Sequence, residues 1–117
     1  MANIMLVDDS KFMRELLKKF LSTKHTIVGE ADDGTVAVEK YEECKPDVVL
    51  MDIVMPHMDG IAATRQIMRS HPDAKIIMCT SVGQEKKVKA AIEAGAVGYI
   101  TKPFQGPNVL KEIESVL

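Results

Sequence analysis

The chain has 117 residues, of which 46% are hydrophobic and 27% are charged, and its net charge is −2. This length is typical of one domain, and the composition is that of a globular protein and not of a disordered chain. No Lys/Arg stripe with interleaved aromatic residues is present, so direct binding of nucleic acid is not expected. We treat residues 1–117 as a single domain.

The cysteines and the N-terminal residues indicate where the protein works. Cys44 and Cys79 have neither zinc-ligand nor redox spacing, and we expect both to be small buried side chains in a reducing compartment. The apolar run at residues 4–7 ends at once in two aspartates, which does not fit a secretory signal. No apolar run is long enough to span a membrane. We therefore expect a cytoplasmic protein that does not insert into membranes.

Short apolar segments alternate along the chain with segments of helical spacing. The short segments are rich in β-branched residues and fit strands buried on both faces of a parallel sheet. They are residues 4–7, 26–29, 48–51, 75–79 and 97–100. The helical segments carry apolar stripes at Phe12, Met13, Leu16, Leu17, Phe20 and Leu21, at Ala37, Tyr41 and Cys44, at Ile61, Thr64 and Met68, at Val88, Ala91 and Ile92, and at Val109, Leu110, Ile113, Val116 and Leu117.

Residues that begin or end helices fall between these segments. Ser10 is placed to cap the first helix, and Asp33 lies where the chain turns into the second. Pro46 and Gly95 lie at the ends of the second and fourth helices, and Pro107 lies in the first turn of the fifth. The order is therefore strand-helix five times, which predicts an α/β fold with helices on both faces of a parallel sheet. Right-handed crossovers favour a flavodoxin-like (βα)5 doubly wound sheet of strand order 2-1-3-4-5.

Polar residues follow the strands at the centre of this sheet. In a doubly wound sheet, ligands bind beyond the carboxyl ends of the strands where the strand order reverses, which here lies between the first and third strands. The first strand runs into Asp8 and Asp9, the third ends at Asp52, the fourth at Thr80, and the fifth near Lys102. We therefore expect three carboxylates, a hydroxyl and an ammonium to meet in one crevice.

Three acids at such close range must hold a proton, an ammonium or a metal ion between them. Two unit charges about 4 Å apart repel by about 4 kcal/mol at an effective dielectric constant of roughly 20. Carboxylate oxygens with open coordination positions suit Mg²⁺, which binds through a few carboxylates together with a substrate phosphate. No glycine-rich phosphate loop is present, and His25, His57 and His71 fall on predicted turns or helix ends. Nucleotide binding and a Ser-His-Asp site are therefore not expected.

Five motifs, taken together, resemble the receiver domain of bacterial and archaeal response regulators. They are IMLVDD at residues 4–9, VLMD at 49–52, MPHMDG at 55–60, MCTS at 78–81 and YITKPF at 99–104. The resemblance covers the whole chain and implies a single-domain response regulator similar to the stand-alone chemotaxis type. It implies Mg²⁺ as the cofactor and a site that takes up a phosphoryl group.

The resemblance also implies a role for each residue of the crevice. Asp52 is similar to the phosphoacceptor, Asp9 to a direct Mg²⁺ ligand, and Asp8 to a ligand that acts through water. The main-chain carbonyl of Val54 is similar to a further protein ligand of the metal. Lys102 is similar to the lysine that contacts both the phosphoacceptor and the phosphoryl oxygens.

Two residues of the crevice and its surroundings resemble the moving parts of a receiver domain. Thr80 is similar to the switch hydroxyl that binds the phosphoryl group, and Tyr99 to the aromatic side chain that turns inward on phosphorylation. Pro103 would follow a cis peptide bond. Val54 and Val82 depart from the family pattern, because many relatives carry polar groups at these two positions beside the incoming water. We therefore expect the lifetime of the phosphorylated state to be altered.

The implied phosphodonor is a histidine kinase. The implied output is binding of a downstream motor-switch or adaptor protein to the surface of the fourth helix, fifth strand and fifth helix, in chemotaxis or motility. We expect a monomer that modifies itself and is not an enzyme with a free substrate. Two alternatives stay open: a phosphorelay carrier that passes its phosphoryl group to a histidine phosphotransfer protein, and a hydrolase of small phosphate esters.

Overall fold

The computed structural model describes residues 1–117 and contains five strands and five helices that alternate along the chain. They are β1 (Asn3–Val7), α1 (Lys11–Leu21), β2 (Thr26–Ala31), α2 (Gly34–Cys44), β3 (Val48–Asp52), α3 (Gly60–Ser70), β4 (Ile76–Thr80), α4 (Glu85–Glu93), β5 (Gly98–Thr101) and α5 (Gly106–Val116). All strand pairs are parallel, and the strand order is β2-β1-β3-β4-β5. The predicted fold class and strand order are confirmed.

Alternate strand residues enter two apolar cores, one on each face of the sheet. Met5 and Val7 of β1 pack in one core with α2, α3 and α4, whereas Ile4 and Leu6 pack in the other with α1 and α5. Every residue of β3 and β4 is buried, which is typical of central strands covered on both faces. Each large apolar side chain buried in this way contributes about 1.5 to 3 kcal/mol to stability. None of the five helices combines the length and the apolar character needed to cross a lipid bilayer.

Side-chain caps begin three of the helices. The Ser10 hydroxyl accepts the N–H of the residue three positions later, at 3.2 Å, and starts α1. The Asp33 carboxylate accepts an N–H in the same way at 3.0 Å and starts α2. Both caps were expected from the sequence, whereas Asp59, which caps α3 at 2.8 Å, was not identified there. The three caps fix where the chain leaves the sheet edge and enters each helix.

The apolar stripes were partly wrong about which side chains are buried. Phe12 is 73% exposed because it lies in the first turn of α1, on a different side from the buried Leu17 and Leu21. Ile92 is 46% exposed beside the fully buried Ala91 of α4. A helix position next to a buried one is turned by about 100°, so an apolar residue there can face solvent.

Further differences concern single residues near element ends. In α3 the buried residue Ile67 was missing from the predicted stripe. Leu117, assigned to the last stripe, lies after the end of α5 and is half-exposed. Strand β2 continues two residues beyond its predicted end, because Glu30 and Ala31 keep pairing with the last two residues of β1.

A close contact joins the start of α3 to the end of β3. The N–H of Gly60 donates to the carbonyl of Ile53 at 2.8 Å. A Cβ atom at position 60 would overlap the main-chain carbonyl oxygen of Asp52. Only glycine therefore permits this approach, and the approach holds the main chain at the last residue of β3.

The Gly60→Ala variant is expected to lose about 2 to 3 kcal/mol of unfolding free energy, because the new methyl group forces backbone atoms apart. Urea denaturation of the purified protein measures the loss. Asp59→Ala is the matched control, since it removes only the cap of the same helix and should cost about 1 kcal/mol. If Gly60→Ala proved as stable as Asp59→Ala, the steric argument would be wrong.

Candidate functional site

The carboxyl ends of four strands meet at one edge of the sheet and carry the predicted site residues. Asp8 and Asp9 follow β1, Asp52 and Thr80 are the last residues of β3 and β4, and Lys102 follows β5. Carboxylate oxygens of the three acids lie within 4.8 Å of one another. The convergence expected from the strand order is therefore present in the fold.

The ammonium of Lys102 lies between two of the acids. Its Nζ is 3.2 Å from Oδ2 of Asp8 and 3.4 Å from Oδ1 of Asp52. The main-chain N–H of Lys102 donates to the carbonyl of Thr80 at 2.7 Å, which fixes the start of the lysine side chain beside β4. The Lys102–Pro103 peptide bond is cis, as the resemblance implied for Pro103.

Burial and like charge set the protonation of the central acid. Asp52 is buried, with only 8% of its surface exposed. Loss of solvation, with repulsion from Asp8 and Asp9, raises the pKa of Asp52 to about 6, although the Lys102 ammonium acts in the opposite sense. Burial lowers the pKa of Lys102, but attraction to Asp52 and Asp8 outweighs burial, so that its pKa is raised overall. One ammonium therefore does not fully compensate the charge of three carboxylates.

Asp8 is held by main-chain and side-chain contacts. Its Oδ1 accepts the N–H of Ser10 at 2.9 Å, and its carbonyl accepts from Nη1 of Arg14 at 2.6 Å. The Nε of Arg14 in turn donates to Glu30 of β2 at 3.0 Å. Arg14 was not identified from the sequence, because a cation on the polar face of a helix is typically a solvated one. Its position shows that α1 and β2 together hold the end of β1.

The donor set fits Mg²⁺. Hard carboxylate oxygens in a small cluster are the ligands this ion prefers, and it retains several waters. Asp8 and Asp52 are buried whereas Asp9 is exposed, so the cluster opens to solvent on one side. Burial first, and repulsion from Asp8 and Asp9 next, raise the pKa of Asp52, and a bound cation would favour its carboxylate form. The Val54 carbonyl, two residues beyond Asp52, stays a predicted ligand.

The hydroxyl of Thr80 is buried and points to its own loop. Its Oγ1 lies 3.3 Å from the Ser81 carbonyl and 3.3 Å from Oε1 of Gln84. Tyr99 of β5 is about half-exposed, and with Thr80, Gln84 and Val88 it lines a cavity of about 180 Å³. The two residues predicted to move thus border one space between β5 and α4.

The remaining histidines and cysteines lie outside the crevice. His25 is buried and accepts a main-chain N–H, His71 lies 2.7 Å from a glutamate of α2, and His57 is exposed on the loop after β3. No hydrogen bond or ion pair joins these three histidines to Asp8, Asp9 or Asp52. Cys79 is buried as expected, Cys44 is only half-buried, and both are free thiols.

These features first define a class: an α/β protein with an acidic cation site at the point where its strand order reverses. The chain belongs to the response regulator receiver domain family, whose model matches residues 4–114. Members of this family are in general signal switches and not enzymes that turn over a free substrate, which argues against the hydrolase alternative.

Individual relatives agree with this assignment. The chain is 56% identical to the chemotaxis protein CheY of Halobacterium salinarum, over 97% of this chain and 95% of that protein. It is 47% identical to CheY of Thermotoga maritima over the same shares. CheY in the solved CheX-CheY-BeF3-Mg complex of Borrelia burgdorferi superposes with a TM-score of 0.93 at 37% identity, over 97% of this chain and 87% of that chain. The chain is thus a response regulator that is similar to chemotaxis members over nearly their full length.

In metal-free solution, Asp52→Asn is expected to be more stable than the parent near neutral pH. The folded parent keeps a proton on Asp52 up to about pH 6, whereas the unfolded chain releases it near the ordinary pKa of 3.8. The parent therefore loses unfolding free energy as the pH rises from about 4 to about 6. Over the same range, the unfolding free energy of Asp52→Asn should rise above that of the parent, from a difference near zero to one of about 2 to 3 kcal/mol.

Urea denaturation at a series of pH values measures this difference. The exposed Asp73→Asn is the matched control and should track the parent throughout. Millimolar Mg²⁺ should reduce the advantage of Asp52→Asn, because added positive charge stabilises the Asp52 carboxylate. A difference that stays constant across the acidic range would contradict the assignment of the pKa to burial and repulsion.

Proposed function

We propose that this chain is a chemotaxis response regulator that takes up a phosphoryl group on Asp52 and thereby changes its affinity for a downstream protein. The single observation that carries the proposal is the contact of a buried carboxylate of raised pKa with the ammonium of Lys102, beside two further acids. Family membership supports the same assignment.

The proposed reaction moves a phosphoryl group from a phosphohistidine of a partner kinase. An Asp52 oxygen forms the new O–P bond, the P–N bond breaks, and the histidine nitrogen keeps the electron pair. Such transfer has a loose transition state, so the protein acts through positioning and charge neutralisation. Burial leaves the Asp52 oxygen poorly solvated and more basic than usual, which favours attack. Lys102 lies where it can contact the transferred oxygens as their charge shifts.

Asp8, Asp9 and Asp52, with the main-chain carbonyl of Val54, are the residues that would hold Mg²⁺. When bound, Mg²⁺ would supply positive charge that offsets the three carboxylates and the phosphoryl oxygens. The contacts from Ser10 and the Arg14 side chain keep the Asp8 carboxylate and main chain in place for this purpose.

The proposed output begins at Thr80. The phosphoryl oxygens on Asp52 are strong acceptors for the Thr80 hydroxyl, and movement of the hydroxyl changes the cavity that Thr80 shares with Tyr99. Inward rotation of Tyr99 then alters the surface of α4, β5 and α5, which would bind the downstream motor-switch or adaptor protein. Thr80 and Tyr99 would thus form a two-state element that the charge on Asp52 biases. Structural similarity to a CheY crystallised with CheX, BeF3 and Mg supports it.

A role as a switch is favoured over a role as a phosphorelay carrier. The similar curated relatives described above are chemotaxis proteins and are matched over nearly their whole length. Incubation of the phosphorylated chain with purified histidine phosphotransfer domains separates the two roles. A switch keeps its label until water removes it, whereas a relay carrier passes the label to histidine.

Incubation with acetyl phosphate and Mg²⁺ is expected to add the mass of one phosphoryl group to the parent, because Mg²⁺ held by the acid cluster would supply, together with Lys102, the positive charge that transfer to Asp52 requires. Mass spectrometry of the intact protein measures the gain. Asp52→Asn should gain nothing, and chelation of Mg²⁺ should abolish the gain in the parent. Asp73→Asn, with an exposed acid replaced, should be labelled like the parent. Equal labelling of Asp52→Asn and parent would overturn the proposal.

Polar replacements at the two exposed valines are expected to speed the loss of the phosphoryl group. The Val54 and Val82 side chains are exposed on the loops that follow β3 and β4, and neither can orient a water molecule. A hydrogen bond to the attacking water is worth about 0.5 to 1.5 kcal/mol, so Val54→Asn and Val82→Glu should each shorten the lifetime by about 2- to 12-fold.

Decay of label after removal of the phosphodonor measures this effect. Val97→Asn is the matched control, since Val97 is similarly exposed but lies before β5, at the opposite end of that strand from Lys102. An unchanged decay rate in both Val54→Asn and Val82→Glu would contradict the hypothesis that these two valines set the lifetime of the phosphorylated state.

A further inference from the structure

Gln84 stands immediately before α4, and its side chain turns back to the end of β4. Its Oε1 lies 3.2 Å from the main-chain N of Ser81 and 3.3 Å from Oγ1 of Thr80. Gln84 occupies the cap position of α4 but makes no side-chain hydrogen bond to that helix. Its amide oxygen is therefore an acceptor for the loop after β4 and not a helix cap.

The contact with Gln84 matters because the Thr80 hydroxyl has a single proton. The hydroxyl is buried, and its two acceptors are the Ser81 carbonyl and the Gln84 amide oxygen. No hydrogen bond joins it to Asp52. A hydroxyl that is to donate to a phosphoryl oxygen on Asp52 must first leave both of its present acceptors, and a buried hydroxyl leaves an acceptor only at a cost in free energy.

We propose that Gln84 is a positioning residue that holds the Thr80 hydroxyl in its unphosphorylated orientation and thereby sets how readily the site is activated. The inference rests on the proposed function and deepens it. In the proposed phosphorylated orientation the hydroxyl donates to the phosphoryl group and not to Gln84, so removal of the Gln84 acceptor shifts the equilibrium toward that orientation by up to the free energy of the bond. For a neutral hydrogen bond this is a shift of about 2- to 12-fold.

Gln84 also lines the cavity that lies between Thr80 and Tyr99. Gln84, Thr80 and Tyr99 all line this space of about 180 Å³. A movement of Thr80 away from Gln84 would therefore change the lining of a cavity that Tyr99 shares. Gln84 therefore touches the part of the molecule through which the signal would pass from the acidic site to the surface of α4 and β5.

The test uses beryllofluoride with Mg²⁺ as a phosphoryl mimic, titrated into the full chain and followed by calorimetry. Gln84→Ser is the informative variant, because serine is a preferred helix cap and keeps the start of α4, yet it is too short to reach Thr80. We expect this variant to bind the mimic about 2- to 12-fold more tightly than the parent. Gln84→Glu keeps an acceptor oxygen and should not show the gain.

Two controls assign the effect to the contact with Thr80. Lys86→Ser changes an exposed residue of the first turn of α4 and should bind like the parent. In a Thr80→Val background, which lacks the hydroxyl, Gln84→Ser should give no further gain, as a double-mutant cycle requires. In the unliganded protein, the amide resonance of Ser81 should shift in Gln84→Ser and stay in place in Lys86→Ser.

The outcomes separate this inference from the function on which it rests. Failure of the parent chain to bind the mimic with Mg²⁺ overturns both. Normal binding by the parent with equal affinity in Gln84→Ser overturns the role of Gln84 alone. A gain that persists undiminished without the Thr80 hydroxyl also overturns that role, because Gln84 would then act on stability of the loop and not on the orientation of Thr80.

Discussion

Three carboxylates lie at one end of the sheet beside a single ammonium. The rest of the structure must hold these like charges close together. The strand order places Asp8, Asp9 and Asp52 within 4.8 Å, and Lys102 lies within 3.4 Å of two of them. A cluster of this kind stores electrostatic free energy that a cation or a proton releases. The fold must therefore hold the acids rigidly, and two apolar cores on opposite faces of the sheet provide that support.

Several contacts act on the main chain of the acids as well as on their side chains. Gly60 brings α3 against the carbonyl of Asp52, and Arg14 ties the carbonyl of Asp8 to Glu30 of β2. The N–H of Lys102 is bonded to the end of β4. The acids and the lysine thus start from fixed backbone positions. By contrast, Thr80 and Tyr99 border open space, and these are the residues for which movement is proposed.

The amino-acid sequence was sufficient to predict the fold and the members of the acid cluster, but not the contacts that hold them. Uninterrupted apolar runs mark β3 and β4 because both faces of a central strand are covered, and the acids follow such runs directly. Arg14 on α1 and Gln84 just before α4 could not be found this way, since a polar residue on or beside a helix is usually solvated and only tertiary structure shows its partner.

The burial of single helix residues was the other limit of prediction from sequence. Periodicity gives the direction of an apolar stripe but not its width, so Phe12 and Ile92 were included and Ile67 was missed. The orientation of the Thr80 hydroxyl depends on a loop whose course no local pattern determines. Such details depend on long-range packing, which is why they emerge only in three dimensions.

The bond between Lys102 and Asp8 joins residues 94 positions apart. A nascent chain that has left the ribosome as far as β4 already carries all three acids but lacks Lys102, whose ammonium lies beside two of them in the folded protein. The charge of Lys102 therefore reaches the acids only after the final strand has been made and the chain has closed on itself. A fragment that ends at β4 would therefore lack the contacts of Lys102 with both Asp8 and Asp52.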